Sequence, residues 1–169
     1  MDNPFKASEN YSRAAFLTAA VFSFIGIAVL AFTDQYLTVE GTRSQFIVAS
    51  FGSTAVLIYA APKAPFSKPK NVFFGHVFSA AVSLAIVTLF SYAGVLDGCH
   101  WIVCGLCVSV SIVLMMCTGT VHPPAGATAL TVAISQITDW QFMIFPLIPG
   151  LLAMMAVAYA ASYCREKIE

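Results

Sequence analysis

Charged side chains are scarce in this chain, and the scarcity excludes most of what a protein of 169 residues can be. Lys and Arg number 8 and Asp and Glu 8, together 9% of the sequence, against roughly 25% in an ordinary soluble domain. A soluble core of this length needs a charged surface that so few residues do not supply. The two signs cancel to a formal net charge of +0 at pH 7, so no field favours nucleic acid or another polyanion. The motifs of hydrolytic chemistry are missing too: there is no HExxH, no GxSxG and no paired carboxylates. Cysteine occurs five times, at Cys99, Cys104, Cys107, Cys117 and Cys164, mostly inside apolar segments. Cys104 and Cys107 form a CxxC, but further metal ligands are not nearby and redox pairs favour a soluble setting. The five are read as buried small apolar side chains. The expectation is a protein that is not an enzyme and carries neither cofactor nor metal.

What is present is apolar: 59% of the residues are hydrophobic, in recurring runs near or beyond the length that crosses a bilayer. The predicted fold class is all-α, a polytopic transmembrane helical bundle forming a single domain over residues 1–169. The N-terminal "MDNPFKASENYSRAAF" is followed by no small-residue cleavage site, which fits a retained anchor better than a removed signal peptide. Six segments are expected: about Ser12 to Phe32, Arg43 to Ala61, Asn71 to Ala93, Gly98 to Cys117, Pro123 to Gln136 and Gln141 to Tyr163. A full crossing takes about 20 residues at 1.5 Å each. The fifth segment falls short of that and reads as a half-helix buried among its neighbours.

Basic residues set orientation. Lys6 and Arg13 flank the start, Lys63, Lys68 and Lys70 lie between segments two and three, and Arg165 and Lys167 end the chain. The other connections hold Asp34, Glu40, Asp97 and Asp139, with Arg43 the one base. Six crossings put the three basic clusters on one side, so both termini are expected in the cytoplasm, with a bacterial inner membrane as the setting. Pro62, Pro65 and Pro69 stiffen the Lys63–Lys70 loop.

An internal repeat supports the same division, about residues 12–93 and 98–163. "SFGSTAVL" (Ser50–Leu57) resembles "PAGATALT" (Pro124–Thr131), with Gly52 opposite Gly126 and Thr54 opposite Thr128. Two units of three crossings must face opposite ways, an inverted repeat with a short or broken helix second in each, as recurs in transporters.

The most informative stretch is "TVHPPAGATAL" at 120–130. Proline is welcome at the first helical position and pushes the residue before it out of the helical region. Pro123 and Pro124 therefore predict a helix start, with His122 extended just before it. The amides from Ala125 and Gly126 would lack partners within the helix, and Gly126 lets a ligand approach the backbone. Such an end suits a small anion. Ser50, Phe51 and Gly52, with the hydroxyls of Ser53 and Thr54, would present a second end facing the first near the bilayer midplane. The candidate substrate-binding residues are Ser50, Phe51, Gly52, Ser53, Thr54, His122, Pro123, Pro124, Ala125, Gly126, Ala127 and Thr128. The same small residues also suit close helix packing. An ionisable residue within the membrane is a functional candidate by default, and His122 titrates in a range that would let it gate or carry a proton. His76 and His100 are expected at the interfaces. Ser79 and Ser83, or Ala156 and Ala160, offer small-xxx-small faces for a homo-oligomer.

"HPPAGATAL" (His122–Leu130), "ASFGSTAVLIYAAP" (Ala49–Pro62) and "KPKNVFFGH" (Lys68–His76) together resemble the HPP family of integral membrane proteins, named for its His-Pro-Pro motif. The resemblance covers about Arg43 to Ala133. Four crossings are often predicted for that family. Its characterised members are implicated in nitrite transport across plastid or cyanobacterial membranes, so the resemblance implies nitrite or a similar anion as substrate. The motif residues it matches are His122, Pro123, Pro124, Gly126, Thr128, Ser50, Gly52, Ser53 and Thr54, without saying which touch substrate. The expected function is thus a transporter or channel for a small monovalent anion, with the lipid bilayer and the anion as partners and no nucleic acid. The alternatives are a non-transporting membrane sensor or assembly subunit, or an intramembrane enzyme using His122 with Cys117 or a metal.

Overall fold

Hydrocarbon offers no water to backbone donors and acceptors, so apolar runs of this length pair their own peptide groups as helices. The computed structural model describes residues 11–36 and 49–168, and no strand occurs among them. Helices α1 (Arg13–Tyr36), α3 (Pro69–Tyr92) and α4 (His100–Thr118) are long and apolar enough to cross a bilayer. So is the stretch Met143–Ile168, which ends in α6 (Ile148–Ile168). Between them lie two shorter apolar helices. One is α2 (Ala49–Ala55), continued as a π-helical turn over Val56–Ala60; the other is α5 (Pro123–Ile134). At 1.5 Å per residue the 12 residues of α5 reach about 18 Å, well short of a bilayer core of about 30 Å.

These elements match the six expected segments, with two departures. The second segment was expected from Arg43, which lies outside the described residues, as do Lys6 and Glu40. The sixth was expected to span Gln141 to Tyr163. There a π-helical turn, Met143–Leu147, precedes α6, and Phe145 within it is extended at φ -154, ψ 116. Pro146 is the cause, since proline bars the helical region to the residue before it.

Side-chain bonds at the helix ends sort those ends onto two faces. Arg165 near the end of α6 donates to Tyr59 O (2.8 Å) at the end of the π-turn, and to Thr18 Oγ1 (3.1 Å) and Ala15 O (3.5 Å) at the start of α1. Ser67 Oγ donates to Leu57 O and Ala61 O, and Asn71 Nδ2 to Val121 O at 2.8 Å, which adds the start of α3 and the end of α4. On the opposite face Gln136 Nε2 donates to Asp97 Oδ1 (3.2 Å) and His100 Nε2 to Ala133 O (3.2 Å). Arg13, Lys63, Lys68, Lys70, Arg165 and Lys167 therefore share one face, as the charge pattern required.

Two expectations are corrected. Ser79 and Ser83 are buried inside the protomer, so they are not a surface for a second copy. Ala156 and Ala160 are exposed on α6. Of the cysteines only Cys107 is fully buried; Cys99, Cys104 and Cys164 are half-buried and Cys117 is exposed. The helix carrying Cys117 turns that side outward, towards lipid.

Candidate functional site

Helical spacing gathers the polar side chains. On α2, Ser50 and Thr54 lie four residues apart and share the inward face; on α3, Val72, His76, Ser79 and Ser83 form the buried stripe. The approach to α5 is fixed by Gly119, whose φ of 62° ends α4 in a left-handed cap. Thr120 N there donates to Met115 O (2.9 Å) and Gly119 N to Met116 O (3.3 Å). Asn71 holds the carbonyl of Val121, and His122 follows in extended backbone (φ -139, ψ 102) with Pro123 and Pro124 as the first helical residues.

The result is a cluster of Ser50, Thr54, His76, His122 and Thr128, each with 0% exposure. Ser50 Oγ lies 2.7 Å from Thr128 Oγ1, which lies 2.6 Å from His76 Nδ1. On the other side of that ring, His76 Nε2 is 2.9 Å from Thr54 Oγ1, which is also 3.3 Å from His122 Nε2. His122 Nδ1 donates to Phe66 O at 2.8 Å, and Thr54 Oγ1 also lies 2.9 Å from Ser50 O. The two imidazole centroids are 5.0 Å apart, and the Phe51 ring stands edge-on to His76 at 6.0 Å. Counting from Pro69, His76 is seven residues into α3, so the cluster lies about 10 Å below the basic face.

The predicted site residues divide. Ser50, Phe51, Thr54, His122, Pro124, Ala125 and Thr128 are buried, whereas Gly52, Ser53, Pro123 and Ala127 are exposed and Gly126 is half-exposed. Gly52 borders an apolar cleft of about 850 Å³ between α1 and α2. The expected row of free amides at the start of α5 is corrected at its first donor. Pro123 and Pro124 have no N–H, and Ala125 N donates to His122 O at 2.9 Å. The residues before Ala49 lie outside the described residues, so the corresponding end of α2 is not described. Polar character comes instead from side-chain hydroxyls and imidazoles. His76 was expected at an interface and sits at the centre of the cluster. The signal for it was its place on one helical stripe with Gly75, Ser79 and Ser83.

No three or more His, Cys, Asp or Glu side chains gather as metal ligands among the described residues. A second pocket, about 300 Å³, opens on the basic face beside Lys63, Ala64 and Arg165.

A family model described as the transmembrane region of HPP proteins matches residues 8–168. Two curated transmembrane proteins of Dictyostelium discoideum are similar to the chain. One is 39% identical over 80% of this chain and 43% of its own length; the other is 36% identical over 86% and 50%. The chain thus spans about half the length of the curated relatives it matches. No solved structure matches.

Proposed function

The chain belongs to the HPP family of transmembrane proteins, and on that premise we propose that it moves a small monovalent anion, nitrite, across the membrane through the cluster between α2 and α5. One observation carries this reading: two imidazoles and three hydroxyls are fully buried inside an apolar membrane bundle. Polar groups at such depth are costly and mark pathways for ions or protons. Nitrite itself is supported by the motif resemblance, which implies that substrate. Hydroxyl O–H and imidazole N–H donors would replace the cluster's mutual bonds with bonds to the anion. Lys63 and Arg165 beside the pocket on the basic face would raise its local concentration. The proposed setting is a bacterial inner membrane; the shared face of the lysines and arginines supports placing that face and both termini in the cytoplasm. Self-association would use the exposed Ala156 and Ala160 on α6.

A sensor or assembly subunit without flux is the second reading. It is favoured by the polar atoms of the cluster already pairing with one another, as a structural brace requires. Purified protein in liposomes, offered nitrite, nitrate, formate and chloride in turn, separates the two. Nitrite influx above that of protein-free liposomes is expected. Folded protein that passes none of the four supports the second reading.

A further inference from the structure

Hydrogen counting narrows the wiring of this cluster to where the single Thr54 hydrogen goes, to Ser50 O at 2.9 Å or to His122 Nε2 at 3.3 Å. Phe66 O can only accept, so His122 Nδ1 carries a hydrogen. In the neutral ring Nε2 is then a lone pair, and the group within reach to donate to it is the Thr54 hydroxyl. Thr54 has a single hydrogen, and with it given to His122 Nε2 or to Ser50 O the 2.9 Å contact with His76 Nε2 is donated by His76. His76 Nδ1 is therefore an acceptor for Thr128, and Thr128 in turn accepts from Ser50. With the Thr54 hydrogen on His122 Nε2, each bond along Ser50, Thr128, His76, Thr54, His122 and Phe66 O runs in one direction; with it on Ser50 O, His122 Nε2 is left open to a proton.

We propose that the cluster is a binding site for one proton, taken up at His122 Nε2 and switched by the Thr54 hydroxyl. When hydronium gives its proton to Nε2 and leaves as water, the Thr54 O–H turns from that nitrogen to Ser50 O, 2.9 Å away. Its oxygen then accepts N–H bonds from both rings. No heavy atom has to move. His76 has no such escape. A proton on its Nδ1 would turn Thr128 towards Ser50 Oγ, and the displaced Ser50 hydrogen would have no recorded acceptor. A buried donor without a partner is costly, so the proton goes to His122.

The surroundings leave His122 to be governed by these bonds. The titratable group facing it from α3 is His76. From α2 and its π-turn, Thr54 does not titrate and Tyr59 donates to Met154 O. From α4, Cys107 donates to Ser83 O and Cys117 is exposed, and α5 carries no titratable side chain. On α6, Arg165 is bonded to Tyr59 O, and Lys63, Lys68 and Lys70 of the neighbouring loop are exposed. Asp34, Asp97, Asp139 and Glu166 sit at helix ends or in connections. The two rings are 5.0 Å apart, so a first charge opposes a second and the site holds one proton.

The site does not depend on whether an anion is carried, and its test needs no flux. Nitrogen-15 NMR of histidine-labelled protein in nanodiscs, with His100→Asn removing the third signal, reads both tautomers. At neutral pH His122 is expected as the Nδ1–H form and His76 as the Nε2–H form; on acidification His122 becomes doubly protonated while His76 stays neutral. Thr54→Val lowers the proton affinity of His122 at least about tenfold, one pH unit, and Thr54→Ser retains it. An Nε2–H tautomer at His122, charging of His76 first, or Thr54→Val titrating as wild type would overturn the proposal. Should Thr54→Val fail to fold, the wild-type tautomers decide alone.

Discussion

Thr54 and Thr128, one from each short helix, hold opposite nitrogens of the same imidazole: Thr54 Oγ1 is 2.9 Å from His76 Nε2 and Thr128 Oγ1 is 2.6 Å from His76 Nδ1. They are the residues that fall opposite each other in the internal repeat. The glycines of the same alignment, Gly52 and Gly126, have no contact beyond their own helix within 4 Å of where a Cβ would stand. Of the two aligned pairs, the threonines enter the cluster and the glycines face open space outside it.

Removing the clamped ring should be expensive. His76→Ala leaves the Thr54 and Thr128 hydroxyls without their ring partner and opens a void, and each unpaired buried group costs about 1–3 kcal/mol. A loss of roughly 3 kcal/mol or more is expected, read as a lowered melting temperature in detergent. His76→Gln, which keeps a donor and an acceptor, should fall between that and wild type.

Glycine substitutions should divide by location. A Cβ at Gly75 would stand 2.9 Å from His122 Cβ and 3.1 Å from Thr120 O, both on the turn that aims His122. Gly75→Ala is expected to cost about 1–3 kcal/mol by overpacking. Gly126→Ala meets nothing within 4 Å and should stabilise by up to about 1 kcal/mol through helix propensity. Parallel melting curves of the two variants check the sign.

Arg165 ties together the ends of α1, α6 and the π-turn through three hydrogen bonds. Arg165→Gln should lose about 1–2 kcal/mol, discounted because the side chain is partly exposed. Arg165→Lys should not restore it, because an ammonium lacks the planar fork that reaches Tyr59 O and Thr18 together. Hydrogen exchange at the start of α1 is the measurement, with faster exchange expected in both variants.

Ser83 and Ser111 are buried hydroxyls without a recorded partner. Ser83→Ala and Ser111→Ala should leave stability unchanged or raise it by up to about 1 kcal/mol, since each removes an unpaired buried group. Lower melting temperatures for both would show that their oxygens are bonded in solution.

The helical bundle, its six elements and its basic face were legible in the sequence because apolar length and lysine placement act locally. His122 was legible too, since Pro123 and Pro124 fix the backbone around it. The cluster was only half legible. Thr54 and Thr128 were found by repetition, but His76 lies in an apolar run whose only clue was the spacing of Gly75, Ser79 and Ser83. That His76 Nε2 meets Thr54 while Nδ1 meets Thr128 depends on α3 and α2 both packing on α5, which no local pattern encodes. Phe66 O was out of reach for the same reason. The carbonyl belongs to a loop residue whose side chain says nothing of it. The free-amide expectation is corrected at Ala125, whose N–H goes to His122 O.

Nitrite uptake by proteoliposomes containing wild type, Thr128→Val or Thr128→Ser, each shown to be folded, tests the central claim most directly. If the cluster is the transport element, Thr128→Val reduces uptake at least about tenfold, the kinetic equivalent of one lost hydrogen bond of about 1.4 kcal/mol, and Thr128→Ser restores it. Thr128→Val transporting at the wild-type rate would contradict the account.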